Sequence, residues 1–358
     1  MLFRSTAILL RVVMRRAGVD PWIATAAATL FAFFGSGRQN IGWGFQIGFT
    51  GTLAFGLAHL LLADHDGPYR RRDLAGLACG LAALMCSGIG ISMTVATGTA
   101  VLIRRGWRTA ALHTAPLAAV FGAWYLIWGR GHRVAELVIG PDAFRLARNM
   151  LTGTLGGIGG HAAGGAVVAV VTVIGIALLV HDRPGGRLRR THAATAGLLA
   201  AAVVQTTLIG VSRAALGTES ASRYVYLLAA MLLPTVAVAA TAIAARWRPF
   251  IVVTVVGLVA AGAVNTGRLA PTGSDRLLLG TREVLLLARS RNLDAAPRSL
   301  HPAGQFADEV TVGWLIDARD DGKVPEAPAD LRRRMPTADL RLSLERLTDP
   351  AGCSCRVV

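Results

Sequence analysis

The run Arg104-Arg105-Gly106-Trp107-Arg108 separates two apolar stretches, 89–103 and 109–128, and neither stretch contains an Asp, Glu, Lys or Arg. The arrangement recurs outward in both directions. Toward the amino terminus stand Tyr69-Arg70-Arg71-Arg72 and Met14-Arg15-Arg16, and toward the carboxyl terminus Arg183 to Arg190 and Arg246-Trp247-Arg248. Every second gap between apolar runs carries such a cluster. The gaps in between are Gly/Ser-rich or mixed polar. That alternation is what the positive-inside rule produces in a chain crossing a bilayer many times.

Composition points the same way. The 358 residues are 53% hydrophobic and only 16% charged, with a mean hydropathy of +0.51. Soluble domains run nearer about a quarter charged. The net charge of +16 would suit nucleic acid, but the basic residues are spread over inter-helix loops and a tail without aromatic interleaving, so no nucleic-acid partner is expected. Membrane lipids with anionic headgroups are the expected partners. Lys323 is the only lysine, a bias of a GC-rich coding sequence rather than of chemistry.

A span takes roughly 17–25 residues, and the apolar runs predict an all-α, polytopic transmembrane helix bundle of about ten spans in residues 1–266. The runs are 2–14, 21–36, 41–63, 74–87, 89–103, 109–128, 162–180, 192–212, 223–244 and 250–266. With the arginines in the cytoplasm, 37–41, Ser87-Gly88, 129–161, 213–222 and everything after 267 fall outside, giving a multi-pass plasma-membrane protein with its carboxyl terminus outside. The first run is short, holds Arg4 and Arg11, and lacks a cleavage site before Arg15-Arg16. Parity places Met1 outside, so an upstream span and loop are expected; an interfacial amphipathic helix is the alternative.

Residues 267–358 are richer in Asp, Glu and Pro and are read as an extracytoplasmic tail, with an amphipathic helix over 276–291 and an irregular Pro-rich stretch over 325–336. Cys79 and Cys86 lie in a span as small buried hydrophobes. Cys353 and Cys355 lie in the tail, where a disulfide can persist; their redox state is left open.

The chain has no metal motif, Walker A loop, nucleophile elbow or dinucleotide fingerprint. The stretch 153–160 is Gly-rich but lacks a Lys-Ser/Thr ending, and reads as an outside loop or a re-entrant stretch. Three outside groups are candidates. The first is the segment 38–46, in which Arg38, Asn40 and Gln46 can line a polar mouth and Trp43 suits the interfacial belt. In the second, Glu219-Ser220-Ala221-Ser222-Arg223-Tyr224 opens a span. An Arg at a helix amino terminus presents donors to a phosphate; a snorkelling Arg paired with Glu219 is the plain alternative. The third is the loop 129–161, with Arg130, His132, Arg133, Glu136, Asp142, Arg145 and Arg148. Within the spans, His59, His113 and Gln205 are read as inter-helix hydrogen-bond formers.

The run Leu9-Leu10-Arg11-Val12-Val13-Met14-Arg15-Arg16-Ala17-Gly18-Val19-Asp20-Pro21-Trp22-Ile23-Ala24, followed by an Ala/Phe-rich span, a short loop and Ile41-Gly42-Trp43, resembles the second to fourth spans of polytopic GT-C superfamily glycosyltransferases, especially actinobacterial ones. The Ser-Arg-Tyr start at 222–224 is also similar. The resemblance covers roughly 5–60 and 215–245. It implies transfer of a sugar from a polyprenyl-phosphate donor to an acceptor on the outer face, with that lipid as substrate and no cofactor. It further implies contact with the donor phosphate by Arg223, with Tyr224 beside it, and a cavity bordered by Arg38 and Gln46; Glu219 is a further substrate-binding candidate. In that family the catalytic acid follows the first span, so no residue here inherits the role. A non-catalytic scaffold, a truncated product and a transporter or flippase-like carrier remain the alternatives.

Overall fold

A computed structural model describes residues 2–42, 44–129, 137, 139–182, 190–214, 221–270, 276–290, 292–302, 310–324, 344–345 and 347. Its regular elements are all helical. The chain divides into two units, 1–270 and 271–358. In the first, α1 spans Leu2–Arg16, α2 Pro21–Ala32, α3 Arg38–Gly42, α4 Ile47–Ala63, α5 Arg71–Cys86, α6 Gly90–Arg105 and α7 Trp107–Ile127. Then come α8 Pro141–Ile158, α9 Ala162–Asp182, α10 Ala193–Arg213, α11 Ser222–Arg246 and α12 Phe250–Arg268. Single turns of 3-10 helix at Gly35–Gly37 and Gly44–Gln46 flank α3. Five helices, α7 and α9 to α12, are long and apolar enough to cross a membrane.

Local chemistry sets the helix ends. Asp20 caps α2, its carboxylate accepting from the Trp22 and Ile23 amides at 2.8 and 3.3 Å, with Pro21 as the first helical residue. Gly106, at φ +85°, is the single residue between α6 and α7 and adopts the left-handed backbone that such a reversal needs.

The arginine clusters separated in sequence gather at one end of the first unit. Arg16 and Arg72 both donate to the Leu61 carbonyl, and Arg104 holds Asp64 while donating to the Arg190 carbonyl. Arg105 pairs with Asp73, and Arg246 with Asp182. Between these ends the helices approach closely over small residues. A Cβ on Gly175 would collide with the Ala239 carbonyl, and one on Gly197 with that of Ala96.

The expected loop 129–161 is largely a helix. Leu146, Met150, Thr154, Gly157 and Ile158 form a buried stripe at helical spacing along α8, with Phe144, Arg145, Arg148 and Leu151 exposed. Near its start, Ala143 packs on Gly210 of α10; near its end, Gly157 packs on Phe34 and Ser36. Both contacts lie at the end of the bundle opposite the arginines, so this helix, about 27 Å long at 1.5 Å per residue, lies across that end rather than through the bundle. The Gly-rich stretch is therefore neither a loop nor re-entrant. Its first residues close α8, and the Gly159-Gly160 turn lets α9 start in backbone contact with it. Arg130, His132, Arg133 and Glu136 lie outside the described residues.

In the second unit, α13 spans Arg276–Ala288 and α14 Val312–Asp320. Leu287, Ala288, Leu293, Ala296, Val312, Leu315 and Leu347 make its small core, and Thr311 caps α14 by accepting from the Trp314 amide at 3.1 Å. The stretch 325–336, Cys353 and Cys355 lie outside the described residues.

Candidate functional site

The start of α11 meets the segment before α4 at the end opposite the arginine clusters. Gly37 makes the meeting possible, since a Cβ there would lie 2.5 Å from the Tyr226 Cβ. Tyr226 is fully buried against Phe31 and Phe34, with ring centroids at 4.6 and 6.5 Å. One turn earlier, Asn40 donates from Nδ2 to the Arg223 carbonyl at 2.7 Å, and the Arg223 amide donates to Gln39 Oε1 at 3.3 Å. Two side chains of α3 thereby fix the first turn of a 25-residue helix. The Arg223 guanidinium lies over the Tyr224 ring, 5.0 Å from its centroid, and donates to the Tyr224 hydroxyl at 3.4 Å. Among the described residues no carboxylate pairs with it. The arrangement sets a cation, stacked on Tyr224, in the first turn of a helix, whose positive dipole end favours an anion.

Among the described residues, several buried polar atoms here lack a protein partner: both amide atoms of Gln46, Asn40 Oδ1, the Tyr226 hydroxyl and the Ser222 hydroxyl. Gln46 is 1% exposed. An unsatisfied buried polar group carries a penalty of about 1–3 kcal/mol, so each of these groups is a cost at this end of the bundle. Below the site, Asn265 braces three elements. It accepts from the Ser36 amide and hydroxyl, both at 2.9 Å, and donates to the Gly157 carbonyl at 2.8 Å. Arg268 adds bonds of 2.7 Å to the Ser36 hydroxyl and the Gly160 carbonyl.

Of the residues singled out in the sequence, Arg223 and Tyr224 lie together, and Arg38 opens the short helix whose next two residues hold Arg223. Gln46 belongs to the adjoining turn rather than to the Arg223 hydrogen-bond set. Glu219 and Trp43 lie outside the described residues. Asp142, the one described acid of the first unit at this end, pairs with Arg145 one turn along α8 at 3.2 Å. Gln39, Asn265, Arg268 and Ser36 were not expected. Asn265 follows a long apolar run and precedes Arg268, the only local hint of a polar junction.

A second polar cluster sits at the arginine-rich end, around Asp73. Its Oδ1 faces Arg105 at 2.5 Å, His113 at 3.0 Å and His65 at 3.3 Å, and its Oδ2 accepts from the Arg70 amide at 2.8 Å. His113 continues to His59 at 3.2 Å, and elsewhere Ser92 donates to Gln205 at 2.7 Å. The polar residues of the spans thus do bond between helices. Gly76 and Gly80 pack against the His59 ring, and the Asp73 and His113 side chains are fully buried.

Among the described residues no group of three His, Cys, Asp or Glu side chains is placed to hold a metal. Among the described residues every regular element is a helix, and several of the helices are long and apolar enough to cross a membrane. It matches no protein-family model, no curated protein and no solved structure.

Proposed function

We propose that the chain crosses the plasma membrane about ten times with its arginine-rich end in the cytoplasm. On this reading its outer face binds a polyprenyl-phosphate sugar, and the sugar passes to an acceptor there. One observation carries it: Gln39 and Asn40 fix the main chain of Arg223 in the first turn of α11, and its guanidinium lies on the Tyr224 ring, at the end opposite the arginine clusters. A guanidinium there matches a phosphate in charge and donor geometry. On this reading the Gln46 amide, unpartnered among the described residues, borders the same cavity. On this reading α8 lies in the outer interface and the second unit is extracytoplasmic.

No described carboxylate borders Arg223, so the proposal assigns binding residues and names no catalytic one. The same observation favours a second reading, a non-catalytic protein that holds or carries a phosphorylated lipid. Membranes bearing the wild type or Arg223→Ala, supplied with radiolabelled polyprenyl-phosphate sugar, separate these readings. Loss of label transfer in the variant supports the first. Unchanged transfer sinks the Arg223 assignment, and uptake of label into sealed vesicles without transfer favours the carrier.

A further inference from the structure

At the arginine-rich end, two guanidinium groups converge on one backbone oxygen. Arg16 of α1 donates to the Leu61 carbonyl at 2.7 Å and Arg72 of α5 at 2.6 Å, so the two nitrogens lie no more than 5.3 Å apart. Leu61 sits in the last turn of α4, where carbonyls lack helical partners and a single cation suffices as a cap. The second brings a charge that a neutral carbonyl does not balance. The nearest described carboxylate, Asp64, is taken by Arg104 Nε at 2.6 Å. Burial first, and Arg72 second, pull the Arg16 pKa down, while Asp64 pulls it back up and Arg104 adds to the fall. Among the described residues, neither Arg16 nor Arg72 has a carboxylate of its own within hydrogen-bond reach.

The surface leading to it is apolar. Helix α4 packs between α1 and α5 and is buried along most of its length. It nevertheless leaves one strip open, in which Phe55 is 40% exposed and Ala58 and Leu62 are half-buried. These three stand at i, i+3 and i+7, one face of the helix, and Phe55 lies about 9 Å along the axis from Leu61 at 1.5 Å per residue. The flanking helices expose Ile8 and Leu74. An apolar strip ending at paired cations matches the chemistry of a phospholipid: acyl chain, then phosphate.

We propose that Arg16 and Arg72 bind the phosphate of one anionic phospholipid of the arginine-side leaflet, its acyl chain lying along Phe55, Ala58 and Leu62. The site is separate from the Arg223 site and independent of the sugar-transfer reading. The test is native mass spectrometry of the full chain, purified in detergent and offered equimolar dioleoyl phosphatidylglycerol and dioleoyl phosphatidylcholine. The wild type retains one phosphatidylglycerol in preference to phosphatidylcholine. In Arg16→Gln/Arg72→Gln that retention falls about tenfold or more, as expected for losing two charge-assisted contacts. Phe55→Asn, which leaves both arginines in place and provides a second test should the double variant fail to fold, also weakens it. Equal retention by the wild type and either well-folded variant overturns the proposal. Displacement of the bound lipid by millimolar inorganic phosphate overturns the lipid assignment in favour of a free-phosphate site.

Discussion

Replacing Asp73 by Asn removes one charge and almost no volume from the centre of the inner polar cluster. The Asp73 side chain is fully buried and that of Arg105 only 6% exposed. The carboxylate serves Arg105, His113, His65 and the Arg70 amide at once. Burial pushes its pKa up, but the Arg105 guanidinium, the Arg70 amide and His113 outweigh this and hold it well below the usual carboxylate range. The variant leaves the Arg105 cation buried without its counter-charge, a loss of about 3–5 kcal/mol for a broken buried pair. Asp73→Ala should lose roughly 1 kcal/mol more, because the bond to the Arg70 amide that opens α5 goes too. Unfolding by SDS titration in mixed micelles, followed by circular dichroism, measures both. The depressed pKa also fixes a pH window. The ionised form is the one the fold favours, so its contribution is complete above the ordinary value of about 4 and is lost as pH falls through the lower folded value. Wild-type stability should fall more steeply below that point than that of Asp73→Asn. A difference under about 1 kcal/mol at neutral pH would refute the reasoning, because it would mean that Arg105 is solvated when unpaired.

Three further outcomes follow from the packing. Gly175→Val forces a side chain against the Ala239 carbonyl and should lower stability by about 1–3 kcal/mol, as overpacking does; the same SDS titration shows it. Asn265→Ala strands the Ser36 amide and removes one of the donors to the Gly157 carbonyl, a loss of about 1–3 kcal/mol, and amide exchange should quicken at Ser36 ahead of the rest of the unit. Nitroxide labels at Phe144 and Leu151 on α8 should relax with oxygen as lipid-exposed sites do, while one at Arg148 reports headgroup depth. Uniform water exposure along α8 would remove it from the interface.

The arginine spacing made the membrane character legible because the rule behind it acts on local composition, before any helix has a neighbour. It also put the described cluster residues on one end, as their hydrogen bonds show. Arg223 with Tyr224 was readable for the same reason: a basic residue and an aromatic at the start of an apolar run is a local pattern. What went unread was non-local. Asn40 and Gln39 hold Arg223 across more than 180 positions, and Asp73 joins His113 and Arg105 across 40 and 32.

Helix α8 shows the division most plainly. By itself the sequence of 141–158 determined an amphipathic pattern, because a stripe at 146, 150, 154, 157 and 158 is visible to anyone counting by helical turns. Whether that stripe met water, lipid or protein was decided only by the fold, in which Gly210 and the Ser36–Asn265 junction lie at one level and receive both ends of the helix. Composition and periodicity set what each segment can bury. Which partners it buries against depends on contacts between residues far apart in the chain, and no local pattern encodes those.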